Sequence, residues 1–193
     1  MLKVKSLPIS ILILAALACR LGAEPQLFDH SAFTFIYPAQ WHLMSALFPK
    51  YEAGRDYYRL GVWEIVTVTS AQKIGEGGVY FTVASAPLPE TLDLETFQRQ
   101  SYQPYLKELR DYSEKEVMIH DSLGYEITYA RPWGEPWWRF RDLWLENDGK
   151  VYLLSFHVKT YATNQQALAP YQQEMDAILE SFAFKSAQAS PSP

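Results

Sequence analysis

The stretch at residues 125–158, YEITYARPWGEPWWRFRDLWLENDGKVYLLSFHV, decides the fold of this 193-residue chain. At its start Tyr125, Ile127 and Tyr129 alternate with Glu126, Thr128 and Ala130. A period of two places one apolar face toward a core, so we predict a β-strand here.

Two longer apolar runs follow, and they are separated by Asn147-Asp148-Gly149. Asp-Gly between apolar runs is a strong signal for a tight hairpin turn, so residues 137–146 are predicted to pair with residues 151–158. One side of the second arm holds Tyr152, Leu154, Phe156 and Val158, and the other holds Val151 and Leu153. A meander with so much apolar surface must be covered, and an amphipathic segment follows it.

The remaining elements are predicted from alternation and helical spacing. Further strands are expected at residues 33–37, 60–69, 79–86 and 117–119, the second and third as an antiparallel pair. One helix is expected from Thr91 or Asp93 to Leu109, with a break at Pro104. A second helix begins after Thr163 or Asn164 and carries one apolar stripe, formed by Tyr171, Met175, Ile178, Leu179 and Phe182. This order predicts an α+β domain, with helices packed on the faces of an antiparallel β-sheet.

Residues 1–18 are predicted to be a signal peptide, because Lys3 and Lys5 precede an apolar segment too short to span a bilayer comfortably. Ala16-Leu17-Ala18-Cys19 is similar to a bacterial lipobox, which predicts that Cys19 is lipidated and anchors the chain to a membrane. The alternative is ordinary cleavage after Leu21-Gly22-Ala23, which would release a soluble protein. In both cases the folded part is expected outside the cytoplasm, at the outer face of the cell membrane or in the periplasm, without disulfides.

We expect a tether at residues 19–29, one domain at residues 30–184 and a disordered tail at residues 185–193. The formal net charge is -5, and removal of Lys3 and Lys5 with the leader changes it to -7. Because an acidic surface repels phosphate backbones, we expect no nucleic-acid partner.

Several motifs together resemble the PsbP-like family, which includes the lumenal photosystem II extrinsic protein and many bacterial lipoproteins. They are Tyr37-Pro38-Ala39-Gln40-Trp41, the late strand at residues 149–156 and the closing segment at residues 178–184. The resemblance covers residues 28–184. It implies an α-β-α sandwich around an antiparallel sheet and a role as a binding or assembly factor. The photosynthetic members' manganese- or calcium-associated ligands are not identifiable in this sequence, so the resemblance carries over no metal site.

Motifs for catalysis or cofactor binding are absent from the sequence, so we expect no metal, no cofactor and no enzymatic activity. The four histidines, His30, His42, His120 and His157, form no close ligand pair. Residues 75–78 lack the lysine and the following helix of a phosphate-binding loop. Two acidic pairs, Glu114 with Glu116 and Asp142 with Glu146, could serve acid–base chemistry only if buried, and a solvated sheet face is expected for them.

The segment at residues 132–139 is unusually aromatic for a connection. Exposed aromatic residues beside arginine are typical of binding hot spots. We therefore predict a recognition patch for a protein or an apolar ligand, formed by Trp133, Trp137, Trp138 and Arg139. The alternative is that the tryptophans close one end of the sheet.

These observations favour a membrane-anchored extracytoplasmic binding or assembly module without catalytic activity. One alternative is a hydrolase whose acid and base residues come from separate strands. Another is a structural subunit of a membrane complex.

Overall fold

The computed structural model describes residues 24–47, 50, 52–54, 61–72, 77–131, 136–161 and 165–185. The predicted signal peptide, Cys19, Trp133 and residues 186–193 of the predicted tail lie outside these ranges.

The described part of the chain folds into ten strands and three helices. The strands are β1 Gln26–Asp29, β2 Phe33–Tyr37, β3 His42–Leu43, β4 Trp63–Thr69, β5 Val79–Pro87, β6 Arg110–Ile119, β7 Ser122–Arg131, β8 Trp137–Asn147, β9 Lys150–Thr160 and β10 Ala183–Phe184. The helices are α1 Met44–Leu47, α2 Leu94–Tyr102 and α3 Gln172–Ser181. Short 3-10 turns lie at Gln103–Tyr105, Gln165–Ala167 and Ala169–Tyr171.

The main sheet has seven strands in the order β3-β4-β5-β9-β8-β7-β6, and all of its neighbouring strands are antiparallel. Its centre is the predicted hairpin of β8 and β9, in which Asn147 lies opposite Lys150. Asp148 and Gly149 form the turn at positive φ of 52° and 67°, the conformation that a two-residue turn of matching twist requires. Local sequence chemistry thus determines the register of the central strand pair.

Successive residues of β9 point to opposite sides of the main sheet and are apolar on both, so each face packs on other elements. One face packs on α2, where Trp144 and Leu153 are buried. The other packs on α3 and on a second, three-stranded sheet of order β1-β2-β10. Aromatic side chains dominate the core on this second face, which we call the aromatic core: Phe33, Phe35, Phe81, Phe156 and Phe182.

The predicted fold class, an α+β domain around an antiparallel sheet, is confirmed. Asp93 caps α2 as expected, since its side chain accepts a hydrogen bond of 2.7 Å from the backbone N–H of Thr96. Pro104 lies in the 3-10 turn that ends this helix. Met175 and Ile178 of the predicted apolar stripe are fully buried.

Four details differ from the sequence-based expectation. Gln26–Asp29, placed in the tether, forms β1 because it pairs with β2. The first predicted strand, β2, belongs to the second sheet rather than to the main one. Strand β6 is ten residues long, and its charged edge-strand positions conceal the alternation. Helix α3 begins at Gln172 and is preceded by 3-10 turns, so it starts later than Asn164.

Candidate functional site: a charged groove beside α3

The face of the main sheet that packs on α3 is only partly covered. Along β8 this face carries, in order, Leu145, Leu143, Arg141, Arg139 and Trp137. Leu143 and Leu145 lie in the aromatic core. The two arginines lie beyond the edge of that core and line a groove of about 270 Å³.

The groove has a sheet floor and a helical rim. Strands β6, β7 and β8 contribute its floor, including Thr128, and the rim is formed by Leu168, Ala169 and Gln172. A second hollow of about 420 Å³ continues along β6 and α3, and it shares Lys115, Glu126 and Arg141 with the first. The open surface therefore runs along the junction of the sheet with α3.

A ladder of ion pairs crosses the floor where the two hollows meet. Glu126 accepts from Lys115 Nζ at 2.9 Å and from Arg141 Nη2 at 2.8 Å. Arg141 Nη1 lies 3.4 Å from Asp176 on α3 and so joins the sheet to the helix. Burial opposes ionisation of Glu126, but hydrogen bonds and charges from Lys115 and Arg141 outweigh it and lower the pKa of this carboxyl.

The second groove arginine is held differently. Arg139 is 3% exposed, and its Nη1 donates to Asp111 Oδ2 at 2.6 Å. Asp111 occupies a bulge in β6 with a positive φ of 51°, and bulges commonly redirect a side chain in this way. Among the described residues, Nε and Nη2 of Arg139 have no hydrogen-bond partner, although both are buried.

The opposite face of the sheet carries a buried polar group that centres on Asp142. Its Oδ2 accepts from Tyr102 at 2.7 Å and from Tyr129 at 2.9 Å. Trp144 Nε1 donates to Tyr102 Oη at 2.9 Å. Burial, and after it the charge of Asp142, raises the pKa of Tyr102 well above its usual value. The Tyr102 hydroxyl is therefore a neutral donor, and its bond to Asp142 holds the end of α2 on the sheet.

The prediction that Asp142 and Glu146 lie on a solvated face is wrong for Asp142, which is fully buried. Glu146 is exposed, as predicted. The difference arises because α2 covers β8 only over part of its length. Glu64 is also buried on the sheet, and burial raises its pKa despite a hydrogen bond from Thr67 at 2.5 Å. Nothing in the sequence around these two residues signalled their burial.

The residues of the predicted recognition patch do not share one surface. Trp137 and Arg139 lie on the groove side of β8, and Trp137 is half-buried. Trp138 points to the opposite face, where its ring lies 5.8 Å from Tyr80 and 5.4 Å from His157. The period of two in a strand forces this division. Trp133 lies outside the described residues.

His157 packs among aromatic side chains of the main sheet. The ring of His157 stacks on Tyr80 at 5.1 Å and on Phe140 at 5.4 Å. Over the described ranges no three His, Cys, Asp or Glu side chains form a group that could hold a metal ion. No helix within those ranges is long and apolar enough to cross a membrane.

Solved structures of similar fold are known although their sequences differ. Cyanobacterial PsbP (CyanoP) from Synechocystis sp. PCC 6803 has a TM-score of 0.52 at 14% identity, covering 84% of this chain and 94% of that chain. The Ran-binding protein Mog1p of Saccharomyces cerevisiae has a TM-score of 0.53 at 10% identity, covering 83% and 95%. LpqN of Mycobacterium tuberculosis, which is involved in cell envelope biogenesis, has a TM-score of 0.52 at 11% identity, covering 84% and 91%.

No family model and no curated protein matches the chain by sequence. At identities of 10–14% the structural likeness establishes the fold alone. The resemblance to PsbP-like proteins is thus confirmed as a shared α+β fold.

Proposed function

We propose that this chain is a non-catalytic binding module that works outside the cytoplasm and is anchored to a membrane through Cys19. The observation that carries the proposal is the groove beside α3, an open and charged surface between the main sheet and a short 3-10 turn. Binding sites are commonly concave and combine apolar walls with a few placed polar groups. Trp137, the first residue of β8 and two residues from Arg139, is proposed to extend this surface.

The similar solved structures support a binding role. Mog1p is described as Ran-binding, and LpqN as involved in cell envelope biogenesis. The second of these also suits the proposed location of this chain. Both inferences use those proteins as analogues of the fold, and they apply here only as part of the proposal.

We propose that the chain is not catalytic because the carboxylates of the groove are ion-paired. Asp111 and Glu126 are the acidic residues of the first hollow, and each is ion-paired with an arginine. A general acid or base needs a pKa near the working pH, whereas the pKa of Glu126 is lowered by its neighbours. Glu126, with its lowered pKa, therefore orders the surface and is a poor proton carrier.

Blocking the groove is expected to prevent the chain from capturing its partner protein. In the Ala169→Trp variant a bulky ring would enter from the exposed rim without deleting an existing contact. We expect this variant to lose the proteins that the tagged wild-type chain brings down from solubilised native membranes. Ala46→Trp is the matched control, because Ala46 is also exposed but lies in α1, beside the other edge of the sheet.

Quantitative mass spectrometry of the captured proteins decides the result. Equal capture by wild type and Ala169→Trp would show that the groove is not the recognition surface. Equal loss in both tryptophan variants would point to a general defect of folding instead, and thermal unfolding of each variant identifies it.

The anchor is tested separately by Cys19→Ser. A serine cannot receive the lipid that a lipobox cysteine carries, so we expect the protein to move from the membrane fraction to the soluble fraction. Immunoblots of fractionated cells measure this shift. A wild-type protein found in the soluble fraction would instead support cleavage after Ala23.

A further inference from the structure

We infer that the groove holds a carboxylate group of its ligand, bound through the Nε and Nη2 edge of Arg139. This inference rests on the proposed binding role of the groove and specifies the chemical class of the ligand. It starts from a contrast between two arginines on one strand.

Arg139 and Arg141 lie two residues apart on the same face of β8, and both line the same groove. The edge of Arg141 that carries Nε and Nη2 is fully used, since both nitrogens donate to Glu126 Oε2, at 3.0 Å and 2.8 Å. The other side of this guanidinium contacts Asp176 through Nη1. Arg141 therefore interacts with two carboxylates.

Arg139 interacts with one carboxylate. Its Nη1 contacts Asp111, but within the described part of the chain its Nε and Nη2 lack a partner. The corresponding edge of Arg141 is the one that holds Glu126. Buried guanidinium donors are rarely left unused, because the lost hydrogen bonds to water are then not replaced. A carboxylate of a bound ligand has the charge and geometry to accept from both of these donors.

The shape of the guanidinium also favours a carboxylate as the ligand group that accepts from Arg139. Nε–H and one Nη2–H are parallel and match the two oxygens of a carboxylate, which makes this pair directional and charge-assisted. Both nitrogens are shielded from water, so the bond would form in a setting of low dielectric constant. Because these nitrogens are buried, a ligand has to enter along the groove, and the Arg139 side chain has to move toward the ligand.

The surroundings fit a small organic acid or the carboxyl end of a peptide. Leu168 and Ala169 offer an apolar wall, and the Thr128 hydroxyl lies on the floor. The Thr128 hydroxyl is 2.8 Å from Ser113 Oγ, so it is already oriented. Asp111 is half-exposed and contacts Arg139 through Nη1 alone, so the other edge of this guanidinium stays available for a ligand carboxylate.

The test uses two probes that differ only in the carboxylate. The full chain, labelled with ¹⁵N-arginine and held in detergent micelles, is titrated with N-acetylalanine and with N-acetylalaninamide while the arginine ¹⁵Nε signals are recorded. We expect a saturable shift of the Arg139 signal with the acid and none with the amide. Inorganic phosphate is titrated as a third probe, because an oxyanion of a different shape could use the same edge.

Two variants connect the shift to the site. Arg139→Lys keeps the positive charge but loses the paired donors, so N-acetylalanine should bind at least about tenfold more weakly, as measured by the shifts of the remaining groove signals. Ala169→Trp keeps Arg139 and should block binding from the rim. Arg99→Lys is the control, because Arg99 is exposed on α2 at the opposite face, and its affinity should be unchanged.

Three results would overturn the inference: no saturable shift with N-acetylalanine, an equal shift with the amide, or saturation by phosphate alone. If Ala169→Trp still abolishes protein capture in any of these cases, the groove remains a binding surface and only the carboxylate assignment fails. If N-acetylalanine binds as expected but capture is unaffected by Ala169→Trp, the carboxylate site stands and the proposed route of protein recognition fails.

Discussion

Replacing Trp144 by alanine is expected to lower the free energy of unfolding by about 4 kcal/mol. The indole is fully buried between the sheet and α2, in ring contact with Phe97 at 6.1 Å and with Tyr102 at 6.0 Å. The substitution leaves a large cavity and also removes the hydrogen bond that the indole donates to Tyr102. Urea denaturation followed by far-UV circular dichroism measures the loss.

The matched control is Trp63→Ala. Trp63 is also a strand residue, but it is 54% exposed at the start of β4, so its removal should change the stability by less than about 1 kcal/mol. Similar losses in both variants would contradict the description of Trp144 as the centre of the α2 core.

Replacing Asp142 by leucine is expected to cost about 3 kcal/mol of unfolding free energy. The side chains are similar in size, but the hydroxyls of Tyr102 and Tyr129 lose a buried acceptor. An unsatisfied buried donor costs more than a hydrogen bond normally contributes. The same denaturation measurement applies, with the m-value as a check on two-state unfolding.

A second substitution distinguishes this cause from a simple packing defect. In the wild-type background, Tyr129→Phe should destabilise by about 1 kcal/mol, because one hydrogen bond is lost. In the Asp142→Leu background the same change should cost less than it does in the wild-type background, because the hydrogen bond to Asp142 is already absent. Additive losses in the double variant would mean that the contribution of the Tyr129 hydroxyl does not depend on Asp142.

The candidate site was predicted only in part. Sequence composition directed attention to residues 132–139, and two residues of this segment, Trp137 and Arg139, do lie on the groove side of β8. Trp138 was grouped with them although neighbouring strand residues point to opposite faces. The ion-pair ladder was missed, because Lys115, Glu126 and Asp176 come from three separate elements and form no local motif.

The sequence alone determined the features that depend on near neighbours along the chain. Asp148 and Gly149 specify the hairpin turn, alternation specifies the strands on either side of it, and Asp93 specifies where α2 begins, because each of these acts within a few residues.

The tertiary structure alone decided which surfaces are covered. β2 pairs with β10, nearly 150 positions away, and that pairing places α3 so that the aromatic core is covered while Arg139 and Arg141 stay beside an open groove. On the other face α2 closes over Asp142 and makes it fully buried. Burial and long-range pairing depend on how all the elements pack together, and no local pattern of residues encodes them.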